Sequence, residues 1–389
     1  MEASTNKRFF YNLQSTPNWI NNLLPRLQAE NQLSGPSETF NLVQSIVNIL
    51  LSAITKYDAK FSFQPVSSSS FFIEKEANHF ELVIFLSQKS LHPAEIRLQE
   101  DGCLQGLTLI EMIENMRSYC IWKSLCRKAT SEKEYLSSKM LRAELSNLLS
   151  KLLADMLFLQ HYHDKTMQGI EVRNISSEDV VSIEIKIRGL TLIVDLVTAI
   201  DCEGLWPVHR DSSKVENNAK KPSEKGHTQP RRKTVNCGIQ LVSKATSLEY
   251  HWRIWYCKAE RFELNFNRFP QRRICFQLLK TFVYNELECS FLKPYHLQTV
   301  LLHESAKFSD ENHWTVQKLP IRFYGLIRLL ESFARDKFCP HFFSPSLNLF
   351  AEISSHNLRV FCQKVKVIKE RHEKFSVFQP LQVEENTWL

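Results

Sequence analysis

The sequence predicts an α+β protein with its strands in the first half of the chain and a helical second half. Two periodicities carry that expectation. H-F-E-L-V-I-F-L at 79–86 alternates strictly, with Phe80, Leu82, Ile84 and Leu86 on one side and His79, Glu81, Val83 and Phe85 on the other. That is the period of a β-strand. The segment 38–57 instead repeats its apolar residues every three or four positions, at Phe40, Val43, Ile46, Ile49, Leu50 and Ile54. That stripe is the signature of a long amphipathic helix.

The remaining elements follow in order. Residues 1–36 carry short apolar patches broken by Pro17 and Pro25 and closed by Pro36, which reads as an N-terminal arm. Ser37 stands where a helix over 38–57 needs its N-cap. A serine run, Ser67 to Ser70, precedes the alternating strand. Leu136, Leu141, Leu145, Leu148, Leu149, Leu152 and Leu153 predict a core helix over about 131–160. V-S-I-E-I-K-I from 181 and L-T-L-I-V-D-L-V from 190 meet at Arg188-Gly189 as an antiparallel hairpin. G-I-Q-L-V-S-K and H-W-R-I-W-Y-C-K-A-E come next, and then helices at about 272–286, 295–305, 318–335 and 355–370. The organisation expected is an arm over 1–36, a lobe over 37–270 and a helical lobe over 271–389, without repeats.

Composition narrows the function classes. A chain of 389 residues with 43% hydrophobic content can bury a sizeable core. Only 9 Gly are present, and neither a P-loop nor a G-x-G-x-x-G occurs, which argues against glycine-cradled nucleotides. The 10 Cys form no C-x-x-C pair, and M-E-A-S-T-N-K-R-F-F has no secretory pattern. A cytoplasmic or nuclear protein with reduced thiols is expected, not a secreted one. No apolar run approaches the roughly 20 residues of a membrane span. The net charge of +7 is concentrated: Lys214 to Lys233 holds seven Lys or Arg against Glu216 and Glu224. This basic loop, about 212–233, is expected to be disordered. It reads as a phosphate contact for nucleic acid, an import signal, or a solvated insertion.

Three polar residues interrupt apolar strands. His79 and Glu81, two positions apart, either begin a metal site or form a strand end that faces water. Asp195 sits between Val194 and Leu196, where a carboxylate is costly to bury unless it is paired or bound to a metal. H-Y-H-D at 161–164 has metal-like residue types but reads as a helix end meeting solvent.

Several motifs then occur in order. They are H-F-E-L-V-I-F-L-S-Q at 79–88, I-D-C-E-G-L-W-P at 200–207, W-R-I-W-Y-C-K-A-E at 252–260 and R-R-I-C-F-Q-L-L-K at 272–280. P-Y-H-L-Q-T-V-L-L-H-E at 294–304, trailed by Trp314, and F-C-P-H-F-F-S-P-S-L-N-L-F at 338–350 complete the set. Together they resemble the Mab-21 family, the group that includes cyclic GMP-AMP synthase, over about residues 37–370. The resemblance implies a nucleotidyltransferase fold: a mixed twisted sheet, a long spine helix and a C-terminal helical lobe, with the active site in the cleft between lobes. In catalytic members a Gly-Ser turn holds the triphosphate, and three carboxylates bind two Mg²⁺ ions that activate the attacking hydroxyl and neutralise the leaving group.

Carried over residue by residue, the resemblance puts the metal set on His79, Glu81 and Asp195, with Glu81 and Asp195 as the catalytic candidates. Ser67, Ser68 and Ser69 match the phosphate turn, Lys280 a phosphate contact, Tyr295 a base-stacking position and Glu260 an acidic position. The bland alternatives are a core helix cap for Tyr295 and a solvated helix face for Lys280. Three departures stand out. His79 occupies a carboxylate position, V-S-S-S-S-F lacks the glycine of the turn, and Lys293-Pro294 replaces Ser-Ser before the tyrosine. Residues 261–271 hold no Cys or His, which excludes a zinc thumb there. Three functions are therefore expected in competition. The first is a degenerate pseudoenzyme that acts by binding, nucleoside triphosphate included, in a regulatory or developmental role. The second is an active sensor-type nucleotidyltransferase triggered by nucleic acid, using Mg²⁺ or, with His79, Mn²⁺. The third is nucleic-acid binding without catalysis, through the basic loop and Lys364, Lys366, Lys369 and Arg371, a cluster that equally complements a helix dipole.

Overall fold

The computed structural model describes residues 16–32, 38–67, 72–76, 78–100, 106–128, 133–155, 169–187, 189–206, 232–246 and 248–376. The chain divides into two units. One comprises Pro36–Val208 and Arg232–Ala259; the other comprises Met1–Gly35, His209–Arg231 and Glu260–Leu389.

The first unit is built on a mixed sheet. Its strands are β1 (Phe72–Glu76), β2 (His79–Phe85), β3 (Ile96–Glu100), β4 (Leu107–Met112), β5 (Cys126–Lys128), β6 (Glu134–Leu136), β7 (Ile170–Asn174), β8 (Ser182–Ile187), β9 (Leu190–Cys202), β10 (Ile239–Val242) and β11 (His251–Trp255). They order as β1-β2-β9-β10-β11-β4-β6-β5, with β3 on β4 and the β7–β8 pair on β9. β8 and β9 pair antiparallel with Ile187 opposite Leu190, as the hairpin reading expects, but the second strand continues to Cys202. That length lets β9 meet β8 with its first residues and β10 with its last, on the edge away from β2.

Both faces of the sheet are buried at β2 and β9, and the larger apolar residues gather on one of them. Phe80, Leu82 and Ile84 of β2 and Val194, Leu196 and Ile200 of β9 are all buried. The expected spine helix runs from Glu38 to Tyr57 and packs on a second helix, Ser138–Ala154, which in turn packs on β7. Asn174 fastens β7 to that helix by donating to the Ser146 carbonyl at 2.9 Å and to Ser150 Oγ at 2.7 Å. The spine also holds the approach to the serine run. Gln44 and Asn48 both donate to the Val66 carbonyl at 2.9 Å, and Val66 N–H returns a bond to Asn48 Oδ1 at 2.8 Å.

Two expectations are corrected. The helix read as about 131–160 begins at Ser138, because Ser137 caps it by accepting the Met140 N–H at 3.1 Å. Leu136, which extends the leucine stripe, belongs instead to β6 and pairs with Cys126. The N-terminal arm contains a helix, Asn18–Gln32, with Pro25 on its exposed side. Its stripe of Trp19, Ile20, Leu23 and Leu27 belongs to the core of the second unit. There it packs against helices Pro270–Thr281, Leu319–Asp336 and Ser355–Ser376, with Trp19 edge-on to Tyr324 at 5.9 Å. The two prolines read as breaks, but Pro17 stands just ahead of the helix, with its carbonyl accepting the Ile20 N–H at 3.0 Å, and the loss of a backbone bond at Pro25 is outweighed by burial of the apolar stripe. Ser37 and the segment 161–164 lie outside the described residues, as do 212–231 of the basic loop.

The second unit is helical, as expected. Pro270–Thr281 ends in a π turn, Phe282–Glu286, and is followed by Pro294–Lys307, Leu319–Asp336 and Ser355–Ser376. No helix among the described residues is long and apolar enough to cross a membrane. Because Trp19 is only 1% exposed, Trp19→Ala is expected to cost about 3–5 kcal/mol in urea unfolding. A loss below about 1 kcal/mol would return the segment to a peripheral arm.

Candidate functional site

β2 and β9 run parallel with Glu81 opposite Asp195 and His79 opposite Ile193. Opposed residues on neighbouring strands share a face, so His79, Glu81 and Asp195 stand on the same side of the sheet. That face continues into a small apolar cluster of Val83, Val197, Ala199 and Val242, flanked by Phe85 and Trp255. The carboxylates are correspondingly dry: Glu81 is 6% exposed and Asp195 3%.

Both carboxylates are engaged by the protein itself. Asp195 Oδ1 accepts from Ser182 Oγ at 2.6 Å, and its Oδ2 lies 3.0 Å from His79 Nε2. Ser182 reaches it because the two are register partners on β8 and β9. Lys244 Nζ lies 2.8 Å from Glu81 Oε1 and 4.9 Å from the centre of the Trp255 ring. Two Mg²⁺ ions, which the fold implies, do not fit these residues as they stand. Mg²⁺ demands oxygen ligands in near-octahedral geometry. Here one position offers an imidazole, the Asp195 oxygens are bonded to His79 and Ser182, and Glu81 faces an ammonium group. Among the described residues no group of three or more His, Cys, Asp or Glu is set to hold a metal ion. Ser67 is half-buried at the end of the clamped segment, whereas Ser68 and Ser69 lie outside the described residues.

The other sequence-derived positions belong to the second unit. Lys280 is half-buried in the last turn of Pro270–Thr281, and Tyr295 opens the helix Pro294–Lys307. Tyr295 O–H donates to Glu260 Oε1 at 2.6 Å, and Gln298 Nε2 donates to Oε2 at 2.8 Å. On its other side Tyr295 Oη lies 2.8 Å from His341 Nε2. The direction of this relay follows from the far end. His341 Nδ1 accepts the backbone N–H groups of Phe343 and Ser344 at 3.1 and 3.0 Å, which leaves the ring proton on Nε2. His341 therefore donates to Tyr295, and Tyr295 to Glu260. At the helix start, Lys293 N–H donates to His296 Nδ1 at 3.1 Å, while Pro294 has no N–H to offer. Burial pushes the His296 imidazole down to about 4, so it is neutral and can accept that bond.

Sequence reasoning missed Ser182, Lys244, Gln298 and His341. Ser182 has no signal until the β8–β9 register is known. Lys244 does: it lies two residues beyond Val242, on the parity of the face that holds the carboxylates. Burial pushes the Glu260 carboxyl from its ordinary 4.5 up to about 7, against the opposing pull of Tyr295 and Gln298. The folded state thus holds the proton more tightly. Its contribution is full below about pH 4.5 and is lost as pH rises through about 7. Glu260→Gln, similar in shape and uncharged, is expected to flatten that fall by about 3 kcal/mol in urea unfolding. Glu304, pushed up to about 7 by its own burial, gives the same slope in both proteins and drops out of the difference. Equal slopes in variant and wild type would contradict the burial of an ionisable Glu260.

Comparison with known proteins agrees with this architecture. Residues 74–264 match the Mab-21 protein nucleotidyltransferase domain, and residues 271–367 match the Mab-21 protein HhH/H2TH-like domain. A protein mab-21-like of Drosophila pseudoobscura pseudoobscura is 26% identical over 323 residues, spanning 78% of this chain and 79% of that protein. Its counterpart in Drosophila melanogaster is 25% identical over the same length, and that of Aedes aegypti is 25% identical over 288 residues, 70% of each chain. The two matched domains together span residues 74–264 and 271–367, and the chain belongs to the Mab-21 family, with a domain of nucleotidyltransferase fold.

Proposed function

We propose that this protein keeps the nucleotidyltransferase fold without transferring nucleotides, and that it works by binding in a regulatory or developmental role. The observation that carries the reading is the 3.0 Å contact between His79 and Asp195. An imidazole stands where catalytic relatives are expected to have a carboxylate, and it is turned onto one of the two carboxylates left. A site that must neutralise two dications and a leaving pyrophosphate needs anionic oxygen there.

Two further features support the reading. The start of the helix Pro294–Lys307 is filled by a proline and by the His296 ring, with no serine hydroxyl ahead of Tyr295 to meet a phosphate, and the Tyr295 hydroxyl is turned onto Glu260. The segment after Val66 reads S-S-S-S, so a Cβ stands wherever a phosphate would need the close backbone approach of glycine. Nucleoside triphosphate is the first ligand class to test for binding without turnover, with Lys280 the proposed phosphate contact, Tyr295 the proposed base contact, and Ser67, Ser68 and Ser69 the proposed turn. Lys214 to Lys233 supports a second contact, with the phosphate backbone of nucleic acid.

Incubation with ATP, GTP and CTP, under Mg²⁺ and separately Mn²⁺, with and without duplex DNA or RNA, is expected to give no dinucleotide. Product above a Glu81→Ala, Asp195→Ala control would establish an active enzyme instead. For the basic segment, duplex affinity is expected to fall steeply, by at least about tenfold between low and physiological salt. A flat response excludes a phosphate-driven contact.

A further inference from the structure

The sheet face that carries Glu81 and Asp195 holds a third buried carboxylate, Asp201, and each of the three meets a basic side chain from another element. Asp195 on β9 meets His79 on β2, at 3.0 Å. Asp201, also on β9, meets Lys258, which belongs to the helix Cys257–Leu264, and accepts from Gln240 of β10 at 3.1 Å. Glu81 meets Lys244, which stands two residues past the end of β10.

Lys244 is the best positioned of these basic side chains. Its ammonium group sits over the Trp255 ring, an electrostatic attraction that holds it beside Glu81 at little desolvation cost. Its side chain is 30% exposed, while that of Glu81 is 8% exposed. A nearly buried carboxylate must be paired, protonated or bound to a metal. For a divalent ion to take Glu81 it would have to break the 2.8 Å pair at Oε1, or bind the other oxygen with the ammonium group still beside it, and in either case it meets like charge. It would also have to shed water that Mg²⁺ gives up reluctantly.

We propose that Lys244 is a resident counter-cation: it holds Glu81 in the electrostatic place of a divalent ion and thereby bars such ions from this face of the sheet. The proposal rests on the reading of the protein as non-catalytic and supplies its physical cause. Restoring a carboxylate at position 79 is then insufficient to restore metal binding, because the ammonium group still occupies Glu81.

The test is titration of the full chain with Mn²⁺ alone, following free Mn²⁺ by electron paramagnetic resonance, with circular dichroism melts to confirm folding. Wild type and Lys244→Arg, which keeps the cation, are expected to show no site tighter than about 1 mM. Lys244→Met is expected to bind at least about tenfold more tightly than wild type, since a unit charge beside the ion has been removed. His79→Glu alone is expected to gain less than His79→Glu with Lys244→Met. Should Lys244→Met fail to fold, Lys244→Gln carries the same expectation. Affinity in Lys244→Met equal to that of wild type overturns the proposal, as does His79→Glu binding as tightly as the double variant. These outcomes are separable from the broader reading, which falls only if the wild-type protein makes dinucleotide.

Discussion

Two carboxylates placed in register on neighbouring parallel strands, on a buried sheet face, need cations or hydrogen-bond donors beside them. Adjacent strands lie about 4.8 Å apart, so unscreened repulsion at an effective dielectric near 20 amounts to roughly 3 kcal/mol. Desolvation adds to that cost. A metal-dependent nucleotidyltransferase meets the requirement with divalent ions. This chain meets it with its own side chains: His79 and Ser182 at Asp195, Lys244 at Glu81. The same solution recurs six residues along β9, where Lys258 and Gln240 serve Asp201. The β2–β9 register is thus held by a set of internal ion pairs and hydrogen bonds.

The helical unit handles buried charge differently, through aromatic rings and backbone carbonyls. Arg322 lies 3.4 Å from the centre of the Phe308 ring and 3.2 Å from Glu304 Oε1. Arg272 lies 3.8 Å from the centre of Phe269 and donates to the carbonyls of Glu263 and Leu264 at 2.9 and 3.0 Å. Gly325 is part of this packing, since a Cβ there would fall 2.4 Å from Glu304 Oε1. A guanidinium group can stack and donate at once, so it tolerates burial that an ammonium group does not. The Glu260–Tyr295–His341 relay belongs to the same economy of polar groups: its hydroxyl, amide and imidazole all have partners within the unit.

Much of this was legible in the chain. Strict alternation at 79–86 placed His79 and Glu81 on one face before any partner strand was known, and a lone carboxylate among β-branched residues marked Asp195. The helices of the second half appeared close to their predicted bounds because each carries a long, uninterrupted apolar stripe. What failed to show was whatever depends on pairing between distant segments. Ser182 is an ordinary strand serine until β8 and β9 are set in register, and His341 is one polar residue in an aromatic-rich loop until the tyrosine hydroxyl is found beside it. Leu136 misled because its spacing matched the helix that follows, although Ser137 caps that helix one residue later. The helix Asn18–Gln32 was hidden by Pro25, which ordinarily breaks a helix and is tolerated here beside a stripe of Trp19, Ile20, Leu23 and Leu27 buried in the core.

The central claim is that the protein's own side chains, not metal ions, occupy the carboxylates of the β2–β9 register: Lys244 at Glu81, and His79 with Ser182 at Asp195. The most direct measurement is a crystal structure of the protein soaked with Mn²⁺ and a nucleoside triphosphate, with anomalous scattering used to locate manganese. The account predicts no manganese peak at Glu81 or Asp195, with the Lys244 ammonium group still against Glu81. Paired manganese peaks bridging the two carboxylates, with Lys244 displaced, would contradict it.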